Sequence, residues 1–253
     1  MNTPAKPLIG ITVGTGAQWR PGGSSAVSYG SAVERAGGDY VFLNSPPSRS
    51  FAKCDGLMIP GGWDVHPSRM KRLPGDENLT DEEIEAKYGI GCEIKRDETE
   101  LPIIAAALER GIPILGICRG IQALHIVMDG RLIPDIPSCV PNALTHRSPG
   151  LGVSLSHEVA VEPGSVIEQA YGPGVLIVNT RHHQGLTRDM VCDQLKITAI
   201  APDGVVEAVE SKDSRFIVGV QWHPERQKDA FIHDKSGPLF GAFVRACAGG
   251  RQQ

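Results

Sequence analysis

The chain has 253 residues and a formal net charge of −4; 41% of its residues are hydrophobic and 21% are charged. This is ordinary for a globular protein, and the acidic balance argues against a nucleic-acid-binding protein, which normally presents a basic face. No apolar run reaches the roughly 18 residues that a membrane-spanning helix needs, and no signal-peptide pattern opens the chain, so we expect a cytoplasmic protein that binds neither membrane nor nucleic acid.

Short apolar runs alternate with helical stretches through the first half of the chain. The predicted strands cover 8–13, 40–44, 55–60 and 112–117, and the predicted helices cover 25–37, 94–110 and 119–128. Apolar strands that alternate with helices are typical of a buried parallel sheet, so this half of the chain indicates an α/β fold.

Beyond Gly130 the pattern changes to β-rich segments separated by turns. The candidate strands cover 153–161, 175–179, 195–201, 205–211 and 216–222, and a helix is predicted at 237–248. No linker rich in proline or serine divides the chain, so we predict a single domain over residues 1–253.

Residues 71–93 look like a surface excursion from this pattern. The overlapping segment 76–100 contains ten acidic and three basic side chains. A solvated lid or helix face is the simplest interpretation, because charge runs usually face water. An acidic patch that faces a cationic substrate or partner stays open.

One of the six cysteines has an unusual setting. Cys118 lies between a predicted strand and a predicted helix, flanked by Gly116 and Gly120, which is the pattern of a nucleophile elbow. The N-terminus of a helix favours the thiolate, the form that attacks a carbonyl carbon. The other five cysteines lie far apart without a C-x-x-C pair, and we expect free, buried thiols.

A cysteine nucleophile needs a base and a group that orients the base. His223 follows the last apolar segment, and Glu225 lies two residues on, which places both side chains on one face of extended backbone. We therefore predict a triad of Cys118, His223 and Glu225.

Acyl transfer also needs donors for the developing oxyanion. The backbone N–H of Arg119, the first after the nucleophile, is one candidate, and Gly62 at the end of the third predicted strand is the second. A tight turn without any catalytic role would also explain the pair Gly61-Gly62.

These motifs resemble those of class I glutamine amidotransferases. The matches are Pro60-Gly61-Gly62, the elbow with Gln122, and His223-Pro224-Glu225. A narrower resemblance, to the γ-glutamyl-γ-aminobutyrate hydrolase branch, extends over about residues 7–247 and is carried by GGWDVHP (61–67), KRDETE (95–100), VNTRHHQGL (178–186) and GVQWHPE (219–225).

The resemblance implies a flavodoxin-like three-layer α/β sandwich with a mostly parallel central sheet and a small added antiparallel β layer. It implies that Gln122 and Gly61 help to bind the γ-glutamyl group. That branch consists of stand-alone cysteine hydrolases active in polyamine breakdown, and a homodimer, common among its members, stays open here. The helix after the elbow departs from the family pattern with His125, where Asn is common.

His182 and His183 form an adjacent pair after a predicted strand. Neighbouring side chains of a strand point to opposite faces, and no carboxylate or cysteine stands at ligand spacing, so we expect no metal. A place in the wall of the substrate pocket and a purely structural role both remain open. No phosphate-binding glycine loop is present, so we expect no nucleotide or other cofactor.

The leading hypothesis is hydrolysis of a small-molecule γ-glutamyl amide through a thioester on Cys118. The alternative is a glutaminase subunit that supplies ammonia to a separate synthetase, and a non-catalytic binding protein is the third. We expect the loops at 14–24, 63–93 and 140–157 to form the pocket for the leaving amine.

Overall fold

Nine β-strands form one mixed sheet in the computed structural model, which describes residues 5–45, 48–148, 150 and 152–250. The strands are β1 (Leu8–Thr12), β2 (Asp39–Leu43), β3 (Gly56–Ile59), β4 (Ile114–Ile117), β5 (Leu155–Val161), β6 (Val175–Thr180), β7 (Leu195–Ile200), β8 (Val206–Ser211) and β9 (Ile217–Val220). Their spatial order is β2-β1-β3-β4-β9-β8-β7-β5-β6.

Helices connect and cover these strands. They are α1 (Ser24–Arg35), α2 (Asp81–Tyr88), α3 (Ile94–Arg110), α4 (Arg119–Val127), α5 (Ile136–Cys139), α6 (Val166–Tyr171), α7 (Ala230–His233) and α8 (Gly237–Gly249). Helix α3 has the predicted bounds, and it ends at Gly111 because that residue adopts the left-handed conformation (φ 65°). Among the described residues, no helix combines the length and the apolar character needed to cross a bilayer.

The first half of the sheet is parallel, as predicted. Strand β1 pairs with β2 and β3, β3 pairs with β4, and β4 pairs with β9, all in parallel. Every residue of β3, β4 and β9 is buried, because helices cover both faces of a parallel sheet.

The second half is antiparallel. Strand β8 pairs with β9 and β7, and β5 pairs with β7 and β6, all antiparallel. The predicted antiparallel strands are therefore present, and they extend the parallel sheet through the β8–β9 pairing instead of forming an added layer.

Three loops with chemically interesting residues leave the same edge of the sheet. Pro60 follows β3, Cys118 follows β4, and His223 lies shortly after β9. The carboxyl ends of parallel strands share one edge, where ligands of open α/β sheets usually bind. Topology thus brings together residues that are more than 100 positions apart.

The acidic segment 76–100 is only partly solvated, which corrects the simplest interpretation of its charge. Its first half forms α2, which begins with a capping box between Thr80 and Glu83. Three of its acidic side chains, Asp76, Asp97 and Glu100, are buried. Their burial has a structural reason, since each pairs with a basic side chain.

Gly120 offers a test of how tightly α4 packs on the sheet. A Cβ atom at this position would overlap the carbonyl oxygen of Ile59 in β3, and backbone cannot swing aside as a flexible side chain can. We expect Gly120→Ala to lower the free energy of unfolding by about 1–3 kcal/mol, measured by urea denaturation. Gly249→Ala is the matched control, because nothing lies near its Cβ position; it should change stability by less than about 0.5 kcal/mol. Equal effects of the two substitutions would contradict the packing argument.

Candidate active site

Cys118 occupies a strained turn between β4 and α4. Its backbone adopts φ 53° and ψ −109°, a positive φ that residues other than glycine rarely show. Its N–H donates to the Val220 carbonyl of the neighbouring strand (2.8 Å). Such strain persists only where the surrounding structure enforces it, and it is the local geometry of a nucleophile elbow.

Gly116 and Gly120 flank Cys118 because the backbones of β4 and α4 come close together there. A Cβ at Gly116 would lie 2.8 Å from the carbonyl carbon and oxygen of Gly120. Helix α4 can therefore start directly under the strand end, with Cys118 as its N-cap residue. As the N-cap residue, Cys118 adjoins the first helical turn, where the positive end of the helix dipole lies.

His223 and Glu225 form a hydrogen-bonded pair beside this thiol. The Nδ1 atom of His223 lies 2.8 Å from Oε1 of Glu225, which is buried, and Cys118 lies near enough for its charge to act on the imidazole. Burial alone would lower the pKa of His223, but the charges of Glu225 and Cys118 and their hydrogen bonds raise it to about 10. The imidazole therefore carries a proton at neutral pH.

Asn179 in β6 holds the backbone of His223, and sequence reasoning missed it. Its Oδ1 accepts from the His223 N–H (2.7 Å), and its Nδ2 donates to the His223 carbonyl (3.0 Å) and to Asp229 (2.6 Å). The signal in the sequence was an amide side chain at the end of an otherwise apolar strand. A fully buried amide needs partners for its donors and acceptors.

The loop Pro60 to Gly62 lies against the same site. The Gly61 N–H donates to the hydroxyl of Tyr29 (2.9 Å), while the carbonyls of Pro60 and Gly61 accept from Arg96 (2.9 and 3.0 Å). A Cβ at Gly61 would lie 2.6 Å from Cε1 of His223, and one at Gly62 would overlap the guanidinium of Arg96. Side chains are therefore excluded at both positions.

A buried ion cluster joins this loop to the elbow. Glu100 pairs with Arg96 (3.2 Å) and with Arg119, and Arg119 also pairs with Asp97. Thr12 donates to Glu100 (2.5 Å). Because Arg96 holds the Gly61 backbone and Arg119 opens α4, the cluster sets the distance between the two predicted oxyanion donors.

All nine residues predicted for the site line one cleft of about 640 Å³: Gly61, Gly62, Cys118, Arg119, Gln122, His182, His183, His223 and Glu225. The three expected loops also reach it, through Gln18, Trp63 and Arg147 among others. The N–H groups of Gly62 and Arg119 donate to no other described residue. Both remain available to a ligand.

The predicted substrate-binding side chains are held by protein groups. Gln122 donates from Nε2 to the carbonyl of Gln184 (3.1 Å) and to Gln221 (3.2 Å), which leaves its Oε1. The ring of His183 lies between Asp135 and Asp64, 2.9 Å from each. Burial would lower the pKa of His183, but its hydrogen bond with Asp64 and the charge of that carboxylate raise it.

His182 has different hydrogen-bond partners from His183. Its Nδ1 lies 2.9 Å from the Gln184 carbonyl, and its Nε2 lies 3.4 Å from Glu207 of β8. The sequence showed no carboxylate near this histidine pair, because Glu207 is 25 positions along the chain. The tertiary structure brings the carboxylate of Glu207 next to His182.

The other five cysteines have thiols with raised pKa values. All six thiols are free, but the expected burial is found only at Cys54 and Cys247, since Cys92, Cys139 and Cys192 are partly exposed. Burial raises the pKa of Cys54 to about 11 and that of Cys92 to about 12, and it also raises the pKa of Cys139, Cys192 and Cys247. These five thiols stay protonated at neutral pH.

Comparisons with known proteins identify relatives of this chain. The sequence model of the peptidase C26 family matches residues 7–225. The γ-glutamyl-γ-aminobutyrate hydrolase PuuD of Escherichia coli K12 is 36% identical over 231 residues, which cover 87% of this chain and 84% of that protein. Protein NtpR of Enterococcus hirae is 33% identical over 222 residues, or 85% of this chain and 86% of that protein.

A solved structure supports the fold. The glutaminase domain of CTPS from Trypanosoma brucei, with bound acivicin, superimposes with a TM-score of 0.64 and covers 96% of this chain and 94% of that one. Its sequence is only 18% identical, so the likeness concerns the fold alone. The predicted flavodoxin-like class is confirmed.

The ion cluster predicts a large loss of stability when Arg119 is removed. Arg119→Met leaves the buried carboxylate of Asp97 without its cation and Glu100 with only one. We expect the free energy of unfolding to fall by about 3–5 kcal/mol in urea denaturation. Arg245→Met, at an exposed position of α8, is the control and should change it by less than about 0.5 kcal/mol. Similar unfolding curves for the two variants would refute this account of the cluster.

Proposed function

Because the chain belongs to the peptidase C26 family of class I glutamine amidotransferase-like proteins, we propose that it is a hydrolase of γ-glutamyl amines. The products would be glutamate and a free amine. The observation that carries the proposal is the strained Cys118, which lines one cleft together with the hydrogen-bonded pair His223–Glu225.

In the first step, the sulfur of Cys118 attacks the amide carbon of the substrate. A carbon–sulfur bond forms, and the carbonyl electron pair moves to the oxygen. The N–H groups of Gly62 and Arg119, both at the cleft, would stabilise the resulting oxyanion. The ion cluster keeps these two donors in place before the substrate arrives, so no reorganisation is needed during the reaction.

In the second step, His223 passes its proton to the leaving nitrogen. The carbon–nitrogen bond breaks, and the amine departs from a thioester. Water then attacks the thioester carbon while His223 takes its proton, and the carbon–sulfur bond breaks to release glutamate and the Cys118 sulfur. Glu225, bonded to Nδ1 at 2.8 Å, keeps the ring oriented with Nε2 toward the reacting atoms.

The charges around the cleft suit an amino-acid substrate. Arg147, Arg181 and Arg226 line it and can pair with the carboxylate of the glutamyl group, and Asp64 lies on the same wall near His183. Trp63 lines the cleft with 58% of its surface exposed, so it offers an apolar contact to the part of the substrate beyond the scissile bond.

A substrate panel with two cysteine variants tests the function. We expect the purified chain to hydrolyse γ-glutamyl amines, γ-glutamyl-γ-aminobutyrate included, with a higher kcat/KM than free glutamine. Cys118→Ala should lower kcat by about 10⁴-fold or more while the circular dichroism spectrum stays unchanged. Cys192→Ala, which removes a thiol with a raised pKa outside the cleft, should keep the rate of the natural enzyme.

Two outcomes would contradict the proposal. Undiminished turnover by Cys118→Ala would exclude the thioester route. A preference for glutamine, with activation by a separate synthetase, would replace the hydrolase by the ammonia-supplying subunit, because the chemistry on Cys118 is the same for both.

The raised pKa of His223 predicts a specific titration. In the substrate-free enzyme, the ring signals of His223 should titrate near pH 10, against 6.5 for an ordinary histidine, as followed by NMR and assigned with His223→Gln. Glu225→Gln should lower this midpoint by about 1–3 pH units, since it removes the larger of the two attractive charges. The protonated ring favours the folded state fully below pH 6.5, and that contribution is lost as the pH rises through 10. A midpoint near 6.5 in both proteins would argue against the charged pair.

A further inference from the structure

Four side chains from separate parts of the chain meet behind the wall of the cleft. His146 lies in the loop before β5, His157 lies in β5, His182 follows β6, and Glu207 lies in β8. Their side chains expose between 0% and 7% of their surface. We call this group the His₃Glu cluster.

The cluster has the dimensions of a tetrahedral metal site. The Nδ1 atom of His146 and the Nε2 atoms of His157 and His182 each lie 3.4 Å from Oε1 of Glu207. All four atoms lie within 4.8 Å of one another. In a tetrahedral Zn²⁺ site with bonds of about 2.0–2.1 Å, neighbouring ligand atoms are about 3.3–3.4 Å apart.

The atoms that face the centre of the cluster lie close together but make no hydrogen bond with one another. The three inward nitrogens and both oxygens of Glu207 are inaccessible to water and make no hydrogen bond within the described part of the chain. Each such group costs free energy, so a cluster of five in one place requires an explanation. A bound cation would explain them, because it would satisfy several of these lone pairs at once.

The outward nitrogens of the three histidines decide the protonation of the inward ones. The Nε2 atom of His146 lies 2.9 Å from Oδ2 of Asp203, which also accepts from the Leu144 N–H. His182 and His157 direct Nδ1 to backbone carbonyls at 2.9 and 3.2 Å. A carboxylate and a carbonyl can only accept, so each outward nitrogen carries the proton.

In the neutral imidazoles, the inward nitrogens therefore present lone pairs. Three lone pairs and a carboxylate that converge without a cation repel one another, and burial strengthens the repulsion. A ring nitrogen that donates to a carboxylate or carbonyl while its partner nitrogen faces the metal is the usual arrangement of metal-ligating histidines. All three histidines of the cluster have it.

We propose that His146, His157, His182 and Glu207 together bind one Zn²⁺ ion in a closed, four-coordinate site. Three imidazoles and one carboxylate suit Zn²⁺, and the negative charges of Glu207 and Asp203 balance its two positive charges. No ligand position is open to solvent, so the role of the ion is structural. It joins β5 and β8 to the loop at His182 and thereby fixes one wall of the cleft.

A second group of candidate ligands provides a built-in control. His66 lies 3.3 Å from Glu85, to which Cys92 also donates (3.3 Å), and all three are partly exposed. This group supplies fewer ligands and has no orphaned buried atoms. It is the place where a surface-bound metal would go if the His₃Glu cluster bound none.

The test measures metal content directly. The full chain is produced without a polyhistidine tag in medium with Zn²⁺, purified without chelator, and analysed by mass spectrometry of its metals. We expect one Zn²⁺ per chain in the natural protein and in His66→Gln, and its loss in His157→Ala. The same set is repeated with Cys118→Ala, because the sulfur of Cys118 and the imidazole of His223 are a competing pair of ligands.

Cobalt reports the geometry of the site. After Zn²⁺ is removed, Co²⁺ added to the natural chain should give the intense visible bands of a tetrahedral ion without the bands of a thiolate ligand. Asp203→Asn removes no ligand atom but changes the carboxylate that faces His146 and that also accepts from the Leu144 and Val205 N–H groups. It should weaken Zn²⁺ binding by about 10–100-fold, whereas His157→Ala should weaken it more. Binding should also raise Tm in proportion to the logarithm of the Zn²⁺ concentration.

Three results would overturn the proposal. The first is a natural chain that contains no stoichiometric metal and shows no rise of Tm with Zn²⁺, which would leave a water molecule or a proton network in the cluster. The second is metal that is lost in His66→Gln and retained in His157→Ala. The third is an octahedral Co²⁺ spectrum. If His157→Ala fails to fold, Asp203→Asn and the cobalt spectrum of the natural chain still decide the question.

Discussion

The candidate active site depends on one buried set of charges. Arg96, Asp97 and Glu100 come from the first turns of α3, and Arg119 is the first residue of α4. The cluster contains two cations and two carboxylates, so it is neutral as a whole, and this balance is what makes burial of four charges tolerable. It connects the carbonyls of the Pro60–Gly62 loop to the start of the helix under Cys118. The backbone on both sides of Cys118 is therefore held by the same buried ion pairs.

Both halves of the sheet contribute residues to the candidate active site. The parallel strands deliver Cys118 and the Pro60–Gly62 loop to one edge, and β9, the last parallel strand, leads to His223. From the far edge of the sheet, β6 contributes Asn179, which holds the His223 backbone by two hydrogen bonds. The strain at Cys118 persists because packing on both sides leaves the turn no alternative.

The two buried polar clusters described above differ in how their charges and lone pairs are compensated. Around Arg119, the charges compensate one another without help. Around Glu207, three imidazoles turn their N–H groups outward, and the inward atoms are all acceptors. A low-dielectric interior penalises both unpaired charge and unpaired lone pairs, so the first cluster needs no ligand while the second calls for a cation. Both clusters border the same cleft, through Arg119 and His182.

The sequence by itself determined the strands, the longer helices α1, α3, α4 and α8, and the positions of the candidate reactive groups, but the shorter helices α2, α5, α6 and α7 were not predicted. The bounds of α3, the turn at Cys118 and the spacing of His223 and Glu225 follow from periodicity, glycine placement and helix caps, which depend on neighbours a few residues away. The identity of the side chains that hold those groups was decided only by the tertiary structure. Asn179, Arg96 and Glu207 reach their partners only because the fold brings distant segments together. In the sheet, β8 lies between β9 and β7, and β5 lies beyond β7. That order is set by the burial of apolar surface over the whole chain, so no stretch of the sequence, considered alone, could show which carboxylate faces His182 or which amide supports His223.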